Sequence, residues 1–135
     1  MASVFTLIIN GDLPGRFVWE DERCVAFLTI NPLTPGHTLV VPREEIDEWT
    51  DVDADLWAHL SAVAHRVGQA VKEAFGNTRV GLVVAGYEVA HCHLHVFGAD
   101  SMDQFDFAKV DPNPDPADLD DAAVRIRAAL GADGT

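Results

Sequence analysis

Apolar positions along this chain keep two different periods. From Asp53 to Phe75, Leu56, Leu60, Val63, Val67, Val71 and Ala74 or Phe75 recur at steps of three and four, the spacing that lines one face of a helix. Asp51 or Asp53 is placed to cap its start and Gly76-Asn77 to end it. Elsewhere short apolar runs are cut by turn residues. RFVWE (16–20) and CVAFLTI (24–30) flank the acidic turn DER and predict a hairpin. NPLTPG (31–36) is a loop, and HTLVVP (37–42) returns as a buried strand that Pro42 ends. RVGLVV (79–84) and HCHLHVF (91–97) form a further pair of strands, joined through AGYEVA. Ser3 caps a short apolar stripe over residues 3–9, and GDLPG (11–15) reads as a turn.

After Phe107 the composition shifts. DPNPDPADLDD (111–121) reads as a Pro/Asp linker, and Asp118 to Leu130 as a short helix with Leu119, Ala123, Ile126 and Leu130 on one side. The division expected is a domain over 1–110, then a linker and C-terminal helix over 111–135. The sum is an α+β fold: about five strands, mostly antiparallel because the connections are short, with one long central helix and short terminal helices.

One strand carries the candidate chemistry. HCHLHVF places His91, His93 and His95 at every second position, with Cys92, Leu94 and Val96 between them. On a strand the three imidazoles would share one face, roughly 6–7 Å apart, while the apolar residues face a core. Three readings of that face compete. Coincidence leaves several ring nitrogens to satisfy. A metal site can be built from alternating histidines plus a further ligand, with Glu88, Asp100 and Asp103 near in sequence, but there is no paired-cysteine spacing and no H-E-x-x-H. Phosphoryl chemistry uses a neutral imidazole as nucleophile, a charged one against the non-bridging oxygens, and a third group to hold the nucleophile's other nitrogen. A fourth histidine, His37, follows LTPG at the start of a strand and could converge on them.

Charge narrows the partners. The 135 residues hold 9 Lys and Arg against 22 Asp and Glu, a net charge of −13. That balance argues against DNA, RNA and anionic membranes, whose binding rests on basic patches, but not against one small anion in a local pocket. No apolar run approaches the roughly 18–20 residues needed to span a bilayer. The N-terminus lacks a basic n-region and a small-residue cleavage site, so a cytoplasmic location is expected. Cys24 and Cys92 read as buried small hydrophobes. His59 and His65 lie in the long helix without convergent partners and read as surface or satisfied histidines.

HCHLHVF fits the H-φ-H-φ-H-φ-φ signature, where φ is apolar, and with it the chain resembles the histidine triad (HIT) superfamily. The EDERCVAF and PGHTLVVP segments resemble that family's N-terminal half, so the likeness spans about residues 5–97. It implies a nucleotide hydrolase or transferase with a nucleotidyl-histidine intermediate, on an α+β protomer whose sheet extends across a homodimer. By position His93 would be the nucleophile and His95 would bond the α-phosphate. His91 would orient His93 through its backbone, with His37 close by. Phe5, Ile8, Phe27 and Ile30 would line a pocket for base and ribose, a purine nucleotide being the expected ligand. No cofactor and no metal are implied. Thr29 stands where the family often has an acidic or amide ribose contact, and Tyr87 and Glu88 stand near the leaving group. An Asn before the triad strand and a PR after it are absent, and so is an N-terminal cysteine pair. The expected activity is cleavage at the α-phosphate of nucleoside phosphoramidates or related nucleotides. A dinucleoside polyphosphate hydrolase, or a nucleotide-binding scaffold with little turnover, is the alternative.

Overall fold

A computed structural model describes residues 2–131. The chain runs α1 (Val4–Ile9), β1 (Phe17–Glu20), β2 (Cys24–Leu28), β3 (Thr38–Pro42), α2 (Ala54–Phe75), β4 (Arg79–Val83), β5 (Leu94–Ala99) and α3 (Pro116–Leu130). The five strands form one sheet in the order β1-β2-β3-β5-β4, and every neighbouring pair is antiparallel. The α+β expectation and the strand count hold.

Both sheet faces are buried over the central strands, and alternation sorts the residues. On one face Cys24, Ala26, Leu28, Val40, Leu94 and Val96 pack with Leu56, Leu60, Val63 and Val67 of α2 and with Ala123, Ile126 and Leu130 of α3. Each fully buried Leu, Ile or Val contributes about 1.5–3 kcal/mol, so this face carries most of the stabilisation. On the other face Phe5 of α1 packs with Val25, Phe27, Leu39 and Val41.

Helix ends follow the sequence. The Asp53 carboxylate accepts from Leu56 N–H at the start of α2, and Gly76, with φ +68°, ends it in the left-handed conformation. Gly36 also has φ +87°, and a Cβ there would overlap the Phe75 ring, so the turn into His37 requires glycine.

Several boundaries differ from expectation: β2 stops at Leu28 and β4 at Val83, and two elements start elsewhere. Strand β5 begins at Leu94, not His91: the His91 N–H bonds Val89 O and the Cys92 N–H bonds Ile46 O, while pairing with β3 starts only at Leu94 opposite Val40. His91 and His93 therefore lie in the extended entry to the strand. Helix α3 starts at Pro116, not Asp118, because Asp115 caps it and a proline at the first position needs no N–H partner. None of the helices described is long and apolar enough to cross a membrane.

Candidate active site

With Cys92, Leu94 and Val96 turned into the helix-covered core, the intervening imidazoles fall on the opposite face. There α1, only six residues long, covers too little area to seal the sheet. Its Phe5 packs edge-on against Phe27 at 5.6 Å and His93 at 4.8 Å. Beside it remains a cleft of about 250 Å³, walled by Phe5, Ile8, Phe27 and Ile30 and reaching His93 and His95. The two rings stand 4.9 Å apart, centroid to centroid.

Backbone partners of fixed role assign the tautomers. His93 Nδ1 lies 2.7 Å from the His91 carbonyl oxygen. A carbonyl only accepts, so Nδ1 carries the proton and Nε2 the lone pair. The Leu33 N–H donates to His37 Nδ1 at 3.0 Å, so His37 Nε2–H donates to His95 Nδ1 at 2.9 Å. His95 then keeps its proton on Nε2. His91 Nε2–H donates to the Pro42 carbonyl at 2.7 Å, and its Nδ1 accepts from the Ser3 hydroxyl at 2.7 Å. The cleft thus presents an unprotonated nitrogen on His93 next to an N–H donor on His95.

Burial sets the charge. It lowers the His37 pKa to about 3, helped by the neighbouring His95 and His93, and that of His95 to about 4, helped by His93. Burial also lowers His93, opposed by its bond to the His91 carbonyl and by the Glu88 carboxylate. These three rings are neutral at pH 7. The charged imidazole expected beside the nucleophile is therefore absent from the free protein, and His95 offers a neutral donor instead.

The four histidines do not all share the cleft. His91 sits behind His93, fully buried, and His37 backs His95 and not His93. Thr29 lines the cleft and its hydroxyl accepts from the Asn31 N–H. Ile30 stands at the rim, 68% exposed. Glu88 lines the mouth and is exposed. Tyr87, 94% exposed, is not brought to the cleft. Sequence reading missed Arg16, the one Lys or Arg in the lining, whose Nε–H donates to Asp120 at 2.7 Å; its place at the head of RFVWE, just after the turn, was the available signal. It also missed Leu33 N–H and the Pro42 carbonyl, because backbone groups carry no residue-type signature.

Two other features are distinct from this site. A larger groove of about 570 Å³ runs between α2 and β4, but among the described residues its lining holds a single imidazole, His65, and no carboxylate. Asp21, Cys24 and His59 are the one group of metal-ligating side chains, among the described residues, whose ligand atoms lie within 4.8 Å of one another. Burial would raise the Asp21 pKa, yet the Trp19 indole, the Arg23 and Cys24 N–H groups and His59 hold it well below the usual carboxylate range. Burial and Asp21 together push the Cys24 thiol far up. The trio is a satisfied pin between the β1–β2 turn and α2, and it gives His59 the partner that sequence reading did not find.

The HIT domain family model matches residues 10–102. An uncharacterized HIT-like protein of Borreliella burgdorferi is 35% identical over 113 residues, covering 78% of this chain and 81% of its own. Among solved structures, a zinc-bound histidine triad family protein from Mycobacterium smegmatis superposes with a TM-score of 0.83 at 32% identity, covering 96% of this chain and 94% of that one. A hypothetical histidine triad nucleotide-binding protein from Sulfolobus tokodaii gives 0.82 at 30% identity, covering 93% and 90%.

Proposed function

The chain belongs to the HIT domain family, and from that premise we propose that it is a nucleotide hydrolase acting at the α-phosphate through a covalent nucleotidyl-His93 intermediate. The observation that carries the reading is the pair of opposite tautomers in one cleft: an unprotonated Nε2 on His93 and an N–H on His95, with ring centroids 4.9 Å apart. The His93 lone pair attacks phosphorus, the bond to the leaving group breaks, and an amine leaving group takes its proton from solvent at the open mouth. Water then attacks phosphorus and loses a proton to solvent, the bond from phosphorus to His93 Nε2 breaks, and the nucleoside monophosphate leaves with imidazole restored. His95 Nε2–H donates to a non-bridging oxygen as charge grows there. The apolar walls of Phe5, Ile8, Phe27 and Ile30 suit a flat base, a purine above all. The nucleotide-binding designation of the Sulfolobus tokodaii neighbour supports the ligand class.

The leaving group is an amine in preference to a second nucleotide's phosphates. No Lys or Arg lies between Arg79 and Lys109, Glu88 stands at the mouth, and the cleft's Arg16 is already paired with Asp120. Extra phosphates would enter a repelling field. The proposed steps route no chemistry through a metal, the contact to the non-bridging oxygen being supplied by His95 Nε2–H. The test is a substrate panel run after exhaustive chelation. AMP or GMP phosphoramidates should turn over with higher kcat/KM than diadenosine tri- or tetraphosphate. Equal or faster cleavage of the diadenosine compounds promotes the polyphosphate reading, no turnover of either the scaffold reading, and activity that returns only with zinc a metal site.

We also propose a homodimer through β4. This is an edge strand with Leu82 59% exposed, beside the groove along α2, and an uncovered edge invites a second copy. Light scattering at micromolar concentration should give twice the 14.6 kDa chain mass; the monomer mass would contradict it.

A further inference from the structure

Behind the nucleophile a hydrogen-bonded chain runs from His91 out to the surface through Ser3, Thr6 and Glu45, which lie outside the triad. His93 Nδ1–H donates to the His91 carbonyl, so His91's backbone position fixes the His93 ring. The His91 ring is fully buried and bonded at both nitrogens, to Pro42 O and to Ser3 Oγ. The Ser3 hydroxyl has two other neighbours: it accepts from Thr6 N–H at 3.1 Å and lies 3.3 Å from Thr6 Oγ1. The Thr6 hydroxyl donates to Glu45 Oε1 at 2.7 Å, and the Ser3 N–H donates to the same oxygen at 2.6 Å. Thr6 Oγ1 is also 3.4 Å from His91 Nδ1. With Thr6's proton held by Glu45, only Ser3 has a proton to give to that nitrogen. The carboxylate thus decides which hydroxyl serves His91.

We propose that Ser3, held by Thr6 and Glu45, is a positioning residue for the nucleophile: its hydroxyl fixes the His91 ring, and through the His91 carbonyl it keeps His93 in the tautomer with Nε2 unprotonated. This deepens the proposed function and rests on it. Geometry supports it from a second side. Ser3 is the cap of α1, the helix that brings Phe5 and Ile8 to the cleft wall. The same six-residue element therefore bears on the base and, through Ser3, on the reacting nitrogen. Without the hydroxyl, His91 Nδ1 becomes a buried acceptor with no partner, a state the ring escapes by turning or by taking up a proton.

The experiment uses histidine labelled with ¹⁵N in the full chain, reading ring tautomers by long-range ¹H–¹⁵N NMR alongside kinetics with an AMP phosphoramidate. In the unaltered protein His93 should show the Nδ1–H tautomer and His91 the Nε2–H tautomer. Ser3→Ala should mix the His93 tautomers and lower kcat about tenfold, the size expected for stranding one buried acceptor, with a smaller rise in KM. Ser3→Thr, which keeps hydroxyl and cap, should restore both readouts. Because Ser3→Ala also removes a cap, Glu45→Ala provides a surface alternative: it should shift the tautomers in the same direction, with Glu45→Gln close to the unaltered protein. Unchanged tautomers in both Ser3→Ala and Glu45→Ala overturn the proposal, as does failure of Ser3→Thr to rescue. The NMR readout needs no turnover, so an inactive but tautomer-shifted series would overturn the hydrolase reading and leave the positioning chain standing.

Discussion

The two faces of the same sheet are built by alternate residues of the same strands and behave differently. On the α2/α3 side, Cys92, Leu94 and Val96 join a closed apolar core under two helices of 22 and 15 residues. On the α1 side, His93 meets Phe5 of a six-residue helix, His95 packs against Phe107, and a cleft stays open. One face is sealed and holds the fold together. The other is buried enough to keep its imidazoles neutral and open enough to admit a ligand. The difference follows from what covers each face: two long helices on one side, and on the other a six-residue helix with the Phe107 segment beside it.

Substitutions on adjacent residues should separate the two faces. His93→Ala should remove nucleotidyl-enzyme formation and cost several orders of magnitude in turnover, while purine mononucleotide binding survives; near-normal turnover would refute the nucleophile assignment. Leu94→Ala, one residue on and facing the other way, should cost about 2–5 kcal/mol in denaturant unfolding, with the folded fraction keeping its rate per site. A stability loss in His93→Ala as large as in Leu94→Ala would erase the distinction between the faces.

The open face should also dominate the protein's response to acid. Free histidines take up protons at pH 6.5, whereas His37 and His95 remain neutral down to about 3 and about 4. Between those limits the unfolded chain binds more protons than the folded one, so stability rises with pH across that window. Full stability is expected above pH 6.5, with progressive loss as pH falls towards 4. Thermal melts from pH 7 to 4 should show that fall, and His95→Asn should flatten part of it; an equal fall in the variant would place the titration elsewhere.

Much of this division was legible in the sequence. The period of two in HCHLHVF separated Cys92, Leu94 and Val96 from the histidines, and the Leu56–Val71 spacing gave α2 with its Asp53 and Gly76 ends. The role of individual histidines was less legible. The stretch 91–93 bonds to loop residues, not to a strand, and His37 meets His95 only because β3 and β5 pair. Thr29, Ile30 and Glu88 line the cleft, whereas the loop carries Tyr87 outward. Ser3 reads as a helix cap, which it is; its bond to His91, 88 residues away, has no local signature.

The smallest expected effect lies at the mouth. Glu88 raises the proton affinity of His93, so Glu88→Gln should move the acidic limb of the pH–rate profile to lower pH. The shift should stay below about one unit, since an exposed carboxylate is screened by solvent. A limb that moves upward would remove Glu88 from the field felt by the nucleophile.

Attack of a neutral His93 on the α-phosphate leaves an adduct that can be caught by quenching the protein in acid-free denaturant during turnover of an AMP phosphoramidate and mapped by mass spectrometry. One adenylyl group is expected on the peptide containing residues 91–97, assigned by fragmentation to His93 and absent from His93→Ala. An adduct on His95 or on another residue, or turnover with no adduct at any quench time, would contradict attack by His93.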